Sequence, residues 1–216
     1  LFMAYKALYR TYRPQNFEEV AGQKHIIQTL KNALATNKIA HAYLFCGPRG
    51  TGKTTMAKLF AKALNCEEGI GHQCDKCKNC LEIKEGSHPD VIEIDAASNN
   101  GVEQVRNLID NVNYLPIHGR KKVYIIDEVH MMTDNAFNAL LKTLEEPPQN
   151  ILFVMTCKDA SVLLETILSR STVINIQKED EFSTEGVSIA EEIALALLDI
   201  NEYKLLSATY KVNNKD

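Results

Sequence analysis

Gly47-Pro48-Arg49-Gly50-Thr51-Gly52-Lys53-Thr54 spaces three glycines, a lysine and a hydroxyl as phosphate chemistry requires. Glycines at 47, 50 and 52 let backbone N–H groups curl around the β- and γ-phosphates of a nucleotide, and a helix opening at the end of the loop aims its positive dipole end at them. Lys53 adds a point charge, and the Thr54 hydroxyl is placed to ligate Mg²⁺. Gly47, Pro48, Gly50, Thr51, Gly52, Lys53, Thr54 and the adjoining Thr55 are therefore the candidate nucleotide-binding residues. A glycine-rich turn without a ligand is the competing reading. The apolar run Ala42-Tyr43-Leu44-Phe45-Cys46 before the loop and the amphipathic run after it favour the phosphate site.

Phosphoryl transfer also needs acids. Val123-Tyr124-Ile125-Ile126 reads as a buried strand that delivers Asp127 and Glu128 at its C-terminal end, the edge where open α/β sheets bind ligands. Asp127 is the candidate to hold Mg²⁺ through water and Glu128 the candidate to polarise the attacking water. Alone, an Asp-Glu pair after a strand reads as a solvated turn; together with the upstream loop it reads as the second half of one site.

Cys66, Cys74, Cys77 and Cys80 form a second constellation, Cys-x2-Cys-x2-Cys with an outlying cysteine at a helix end. Four thiolates match a closed tetrahedral Zn²⁺ site, structural because no coordination position is left open. His72 replacing one cysteine, an iron–sulfur cluster and unliganded thiols are the alternatives. Cys46 and Cys157 lie in strand contexts and read as small core residues.

The elements that must position these groups follow from periodicity. Helices are expected over 24–36, 54–65, 101–113 and 134–145, the last ended by Pro147-Pro148, and strands over 42–46, 91–95, 123–126, 151–155 and 172–176. Strands separated by helices imply a parallel sheet with helices on both faces. The polar stretch 178–186 reads as a linker, and 187–216 as a partial helical, lid-like segment with two short helices at 187–198 and about 201–211. The 216 residues suffice for one α/β domain, here 4–177 with the cysteine insertion at 66–80, plus a small helical appendage. No apolar run reaches the roughly 18 residues of a membrane span and no leader pattern is visible, so a soluble cytoplasmic protein is expected. A net charge of −4 argues against a uniformly basic nucleic-acid coat but leaves room for a local basic face. Six cysteines beside a phosphate loop point to metal or free thiols in a reducing compartment.

Ahead of the first helix, Leu8-Tyr9-Arg10-Thr11-Tyr12-Arg13-Pro14 mixes aromatic and cationic side chains. Such a segment can enclose a nucleobase, which makes Tyr9, Arg10, Arg13 and Pro14 further candidates; a plain surface arm is the alternative. This run, the phosphate loop, the cysteine module, Glu93-Ile94-Asp95-Ala96-Ala97-Ser98, Asp127-Glu128-Val129-His130 and Asn138 through Pro148 together resemble the gamma/tau subunit of the bacterial DNA polymerase III clamp loader over about residues 4–156. The resemblance implies an AAA+ ATPase using ATP, Mg²⁺ and Zn²⁺. It implies a ring with delta, delta-prime and further gamma/tau copies, which opens a sliding clamp and places it on primer–template DNA. It also implies that Thr156 is a polar sensor on the γ-phosphate side, although Thr156-Cys157-Lys158-Asp159 departs from the family's two threonines and an acid. Arg170, in Ser169-Arg170-Ser171, resembles the finger that reaches a neighbouring subunit's ATP, its third position differing from the family's cysteine.

After residue 157 the likeness shifts: Val162 through Ser171 looks as much like the delta-prime subunit, and no arginine follows Arg170 to serve as a second sensor. A non-hydrolysing structural subunit is therefore the main alternative to the ATPase. A branch-migration motor of the same fold is a third reading, opposed by the cysteine module.

Overall fold

In the computed structural model, residues 13–98 and 101–177 are described. Tyr9, Arg10 and the whole of 178–216, with its expected linker and helices, lie outside them. The element order is α1 (Lys24–Ala35), β1 (Ala42–Cys46), α2 (Lys53–Asn65), α3 (Lys78–Glu85), β2 (Val91–Asp95), α4 (Gly101–Asn111), β3 (Lys122–Asp127), α5 (Asp134–Glu145), β4 (Ile151–Cys157), α6 (Glu165–Leu168) and β5 (Thr172–Asn175). Single 3₁₀ turns occupy Val129–Met131 and Ala160–Val162.

The strands form one parallel sheet in the order β2-β3-β4-β1-β5. Composition follows position. The uninterrupted apolar runs of β1 and β4 are interior and buried throughout, while β2 and β5, which carry Glu93, Asp95 and Asn175, lie at the edges and expose part of their length. Alternation along each strand then sorts side chains to two cores. Tyr43, Phe45, Val123, Ile125, Leu152 and Val154 pack with α1 and α2 on one face; Leu44, Tyr124, Ile126, Phe153 and Met155 pack with α4 and α5 on the other. Phe60 on α2, fully buried and edge-on to Tyr43 at 5.0 Å between ring centroids, anchors the first core. Its truncation to Ala costs about 3–5 kcal/mol.

The helical faces match their patterning. On α1, Ile26, Ile27, Leu30 and Leu34 are buried, and Asn37 in the left-handed conformation (φ 52°) turns the chain out after the helix. The Thr133 side chain accepts from the Ala136 N–H to open α5. Helix α3, inside the cysteine segment, is absent from the expected elements. The Cys77 side chain caps its N-terminus and Gly86 (φ 78°) its C-terminus.

Candidate nucleotide site and thiolate cluster

Because β4 lies between β1 and β3, the C-terminal ends of β1 and β3 open onto a shared crevice at the sheet edge. The phosphate loop leaves β1 there and runs directly into α2. Gly50 and Gly52 have φ of 85° and 83°, a region that L side chains rarely adopt. Gly47 is required for a different reason: a Cβ at this position would collide with the Ile176 carbonyl oxygen. Lys53 is almost fully buried, and its Nζ donates to the carbonyls of Gly47 at 2.7 Å and Pro48 at 2.9 Å, which holds the ammonium beneath the loop.

Asp127 arrives from β3. The Thr54 hydroxyl donates to its two carboxylate oxygens at 2.8 and 3.0 Å, which brings the two candidate Mg²⁺ ligands together. Thr156, fully buried within β4, joins both candidate acids: its hydroxyl donates to Asp127 Oδ1 at 2.6 Å and accepts the Glu128 N–H at 3.0 Å. Glu128 has φ 52° and ψ 50°, a left-handed backbone costly for a residue with a side chain. Its Oε2 stands 3.4 Å from Nδ1 of His130, a neighbour that periodicity gave no reason to single out. A cavity of about 210 Å³, lined by Thr54, Asp95, Ser98, Gln104 and Asp127 among others, adjoins the pair, so there is room for a hydrated cation beside these oxygens.

Arg13 meets the site from outside, donating through Nε to Thr55 Oγ1 at 2.9 Å, so the N-terminal segment is tied to the first turn of α2. Pro14 is half-buried beside it. Arg170 is directed elsewhere. Its guanidinium donates to Glu145 Oε1 on α5 and to the Thr166 carbonyl, each at 2.9 Å, and among the described residues none of its hydrogen bonds is to the loop.

The four cysteine Sγ atoms of Cys66, Cys74, Cys77 and Cys80 lie within 4.8 Å of one another. Tetrahedral Zn²⁺ with bonds of about 2.3 Å needs sulfurs just under about 4 Å apart, so the set fits the metal. The Cys77 and Cys80 N–H groups donate to Cys74 Sγ and Cys77 Sγ at 3.3 and 3.4 Å. N–H groups of Cys77 and Lys76 lower the Cys74 thiol to about 7, whereas burial pushes Cys66 and Cys80 up. His72 lies beside Gly69 and is not part of the cluster.

The module is fastened to the sheet by polar residues that carry no motif. Asn65, fully buried at the end of α2, accepts from the Arg120 and Lys121 N–H groups and donates to the Lys121 carbonyl. Arg120 donates to the carbonyls of Cys66 and Leu64, Asn79 donates to the Asn65 carbonyl at 2.9 Å, and Lys62 pairs with Asp75 at 2.5 Å. Asp90, also fully buried, accepts the N–H groups of Ile117, His118 and Gly119 at 2.6–2.9 Å. Burial acts to raise its carboxyl, but these three donors outweigh it and hold the pKa below the ordinary value.

Comparison with known proteins places this arrangement. A family model described as "DNA polymerase III, delta subunit" matches residues 22–180. The chain belongs to this family of DNA polymerase III clamp-loader subunits. Curated relatives are named for the tau and gamma subunits: 56% identity over 169 residues to DNA polymerase III subunit tau of Bacillus subtilis, covering 78% of this chain and 30% of that one. Identity is 52% over 179 residues to the tau subunit of Escherichia coli, covering 82% and 28%. It is 45% over 213 residues to the gamma subunit of Buchnera aphidicola, covering 96% and 58%. The chain thus spans between about a quarter and three fifths of the length of these relatives. A crystal structure of a DNA polymerase III gamma subunit-related protein from Thermotoga maritima aligns at TM-score 0.51 and 25% identity, over 84% of this chain and 56% of that one. The Thermotoga maritima RuvB branch migration motor aligns at TM-score 0.56 and 18% identity, over 85% and 54%, a likeness of fold alone. The fold of this clamp-loader subunit is that of an AAA+ P-loop NTPase. Among its described residues no helix is long and apolar enough to cross a membrane.

Proposed function

We propose that the chain binds and hydrolyses ATP as a subunit of a DNA polymerase III clamp loader, in a ring with delta, delta-prime and gamma/tau subunits that loads a sliding clamp on primer–template DNA. The observation that carries the reading is the continuous hydrogen-bonded path Thr54–Asp127–Thr156–Glu128, which joins the phosphate loop, the candidate cation ligands and the candidate base in one constellation.

In this reading the loop N–H groups and Lys53 bind the phosphates, Lys53 exchanging the Gly47 and Pro48 carbonyls for phosphate oxygens. Thr54 and Asp127 hold Mg²⁺, which supplies positive charge against the phosphate oxygens. Glu128 orients and polarises the attacking water, and Thr156 fixes both acids from β4. Arg13 and Pro14 border the nucleotide from the N-terminal side. Arg170 serves a neighbour's site in trans. Its pair with Glu145 is part-exposed, and such pairs are worth about 0–1 kcal/mol, so the guanidinium is readily given up to a phosphate. Zn²⁺ in the Cys66–Cys80 module is structural and stiffens the far end of α2.

The test is ATP turnover of the purified chain, alone and with loader partners, clamp and primed DNA. Slow turnover alone and marked stimulation by partners is expected, because a trans arginine is worth on the order of 10³ to 10⁵ in rate. Binding without hydrolysis under any of these conditions would instead support the structural-subunit reading.

A further inference from the structure

Cys46 and Cys157 have no part in the proposed chemistry, yet they face each other across β1 and β4 with their Sγ atoms 3.1 Å apart, in register as direct strand partners. Neighbouring strands are about 4.8 Å apart, within the 4.4–6.8 Å Cα separation that a disulfide accepts. We infer that Cys46 and Cys157 form a reversible thiol–disulfide switch that disables the phosphate loop, an inference that rests on the nucleotide-binding reading above for its consequence but not for its chemistry.

Both anchor points are one residue from functional positions. Cys46 directly precedes Gly47, whose N–H donates to the Cys157 carbonyl at 3.2 Å, and Cys157 directly follows Thr156. Bond formation shortens the sulfur separation from 3.1 Å to about 2.05 Å and cross-links the two strand ends that carry Gly47 and Thr156, so the start of the loop loses freedom to adjust to a nucleotide. Gly47 has no slack, because it already lies against the Ile176 carbonyl. Cys46, at the start of the loop, keeps 3% exposure against 0% for Cys157, so Cys46 is the sulfur that a small oxidant reaches first. With a peroxide as oxidant, the Cys46 sulfur attacks one oxygen, giving a sulfenic acid and releasing water or an alcohol. The Cys157 sulfur then displaces the sulfenic oxygen as a second water. In sum two thiols lose two electrons and two protons to the peroxide, and a thiol reductant reverses the change by exchange.

The test uses the zinc-loaded chain, treated with hydrogen peroxide and digested with trypsin without reduction. A linked species joining peptides 39–49 and 143–158, two hydrogens lighter than their sum, is expected. Affinity for a fluorescent ATP analogue is expected to fall about tenfold or more on oxidation and to return with dithiothreitol. Cys46→Ala, confirmed folded by its thermal melt, lacks the sulfur that is oxidised first and is expected to bind the analogue with an affinity that peroxide leaves unchanged. Absence of the linked peptide overturns the disulfide, and a linked protein with unchanged affinity overturns the switch. A fully reduced protein that fails to bind the analogue removes the nucleotide reading itself, while the mass of the peptides still decides the disulfide.

Discussion

The Thr156 hydroxyl donates to Asp127 Oδ1 at 2.6 Å across the C-terminal ends of β4 and β3, while accepting the N–H of Glu128. One buried hydroxyl thereby sets the positions of both acids. Thr156→Val keeps the shape and removes both hydrogen bonds, leaving the Glu128 N–H without that acceptor. A loss of about 1–3 kcal/mol in stability is expected by urea denaturation. Turnover is expected to fall more steeply than nucleotide affinity, because the acids act mainly beyond the ground state. Unchanged turnover would show that Thr156 does not organise the acids.

Elemental analysis of protein purified without chelator is expected to find one Zn²⁺ per chain, held by Cys66, Cys74, Cys77 and Cys80. Because a structural metal contributes folding free energy, Cys77→Ala is expected to lose the metal and loosen the module. Hydrogen exchange should rise across 66–86 and at the end of α2, with strands β1, β3 and β4 still protected. A metal-free wild-type protein with a rigid module would contradict the assignment.

Asp90 gives the fold an acid-sensitive fastening. Its folded pKa lies below the ordinary value of 3.8, so its contribution is present in full above that value and is lost as pH falls through the depressed folded pKa. Wild-type stability should therefore drop below about pH 4, and Asp90→Ala should remove part of that dependence while costing about 2–4 kcal/mol at pH 7. The same acid slope in both proteins would show that other carboxylates carry the effect.

Arg170→Ala is expected to leave the melting temperature of the isolated chain nearly unchanged, since its pair with Glu145 is part-exposed. In a reconstituted loader the same change should depress the ATPase of the assembly by on the order of 10³ while nucleotide binding persists. Normal stimulation of the partners would remove the trans role.

Most of the fold was legible because the interior strands are short apolar runs bounded by turn residues. The expected 42–46 and 91–95 coincide with β1 and β2, and the loop motif fixed where α2 begins. Helix α3 was hidden because Asn79 and Cys80 take two of its three buried positions, which leaves Ile83 as the one aliphatic marker of its inner face. Asn65, Arg120 and Asp90 were invisible for a related reason. Buried polar residues that satisfy backbone groups distant in sequence look like loop residues until the chain is folded, as the separation of 55 residues between Asn65 and Arg120 illustrates. Cys46 and Cys157 did turn out to be buried small residues, but their separation of 111 residues concealed that they touch.

The most direct measurement compares Lys53→Ala and Glu128→Gln in a reconstituted loader, with ATP binding and single-turnover hydrolysis read on the same samples. Lys53→Ala should lose ATP binding, because the lysine holds phosphate in the ground state. Glu128→Gln should bind ATP as the unaltered chain does and hydrolyse it slower by a factor on the order of 10² or more. Normal hydrolysis by the Glu128→Gln protein would contradict the assignment of this site as the ATPase centre.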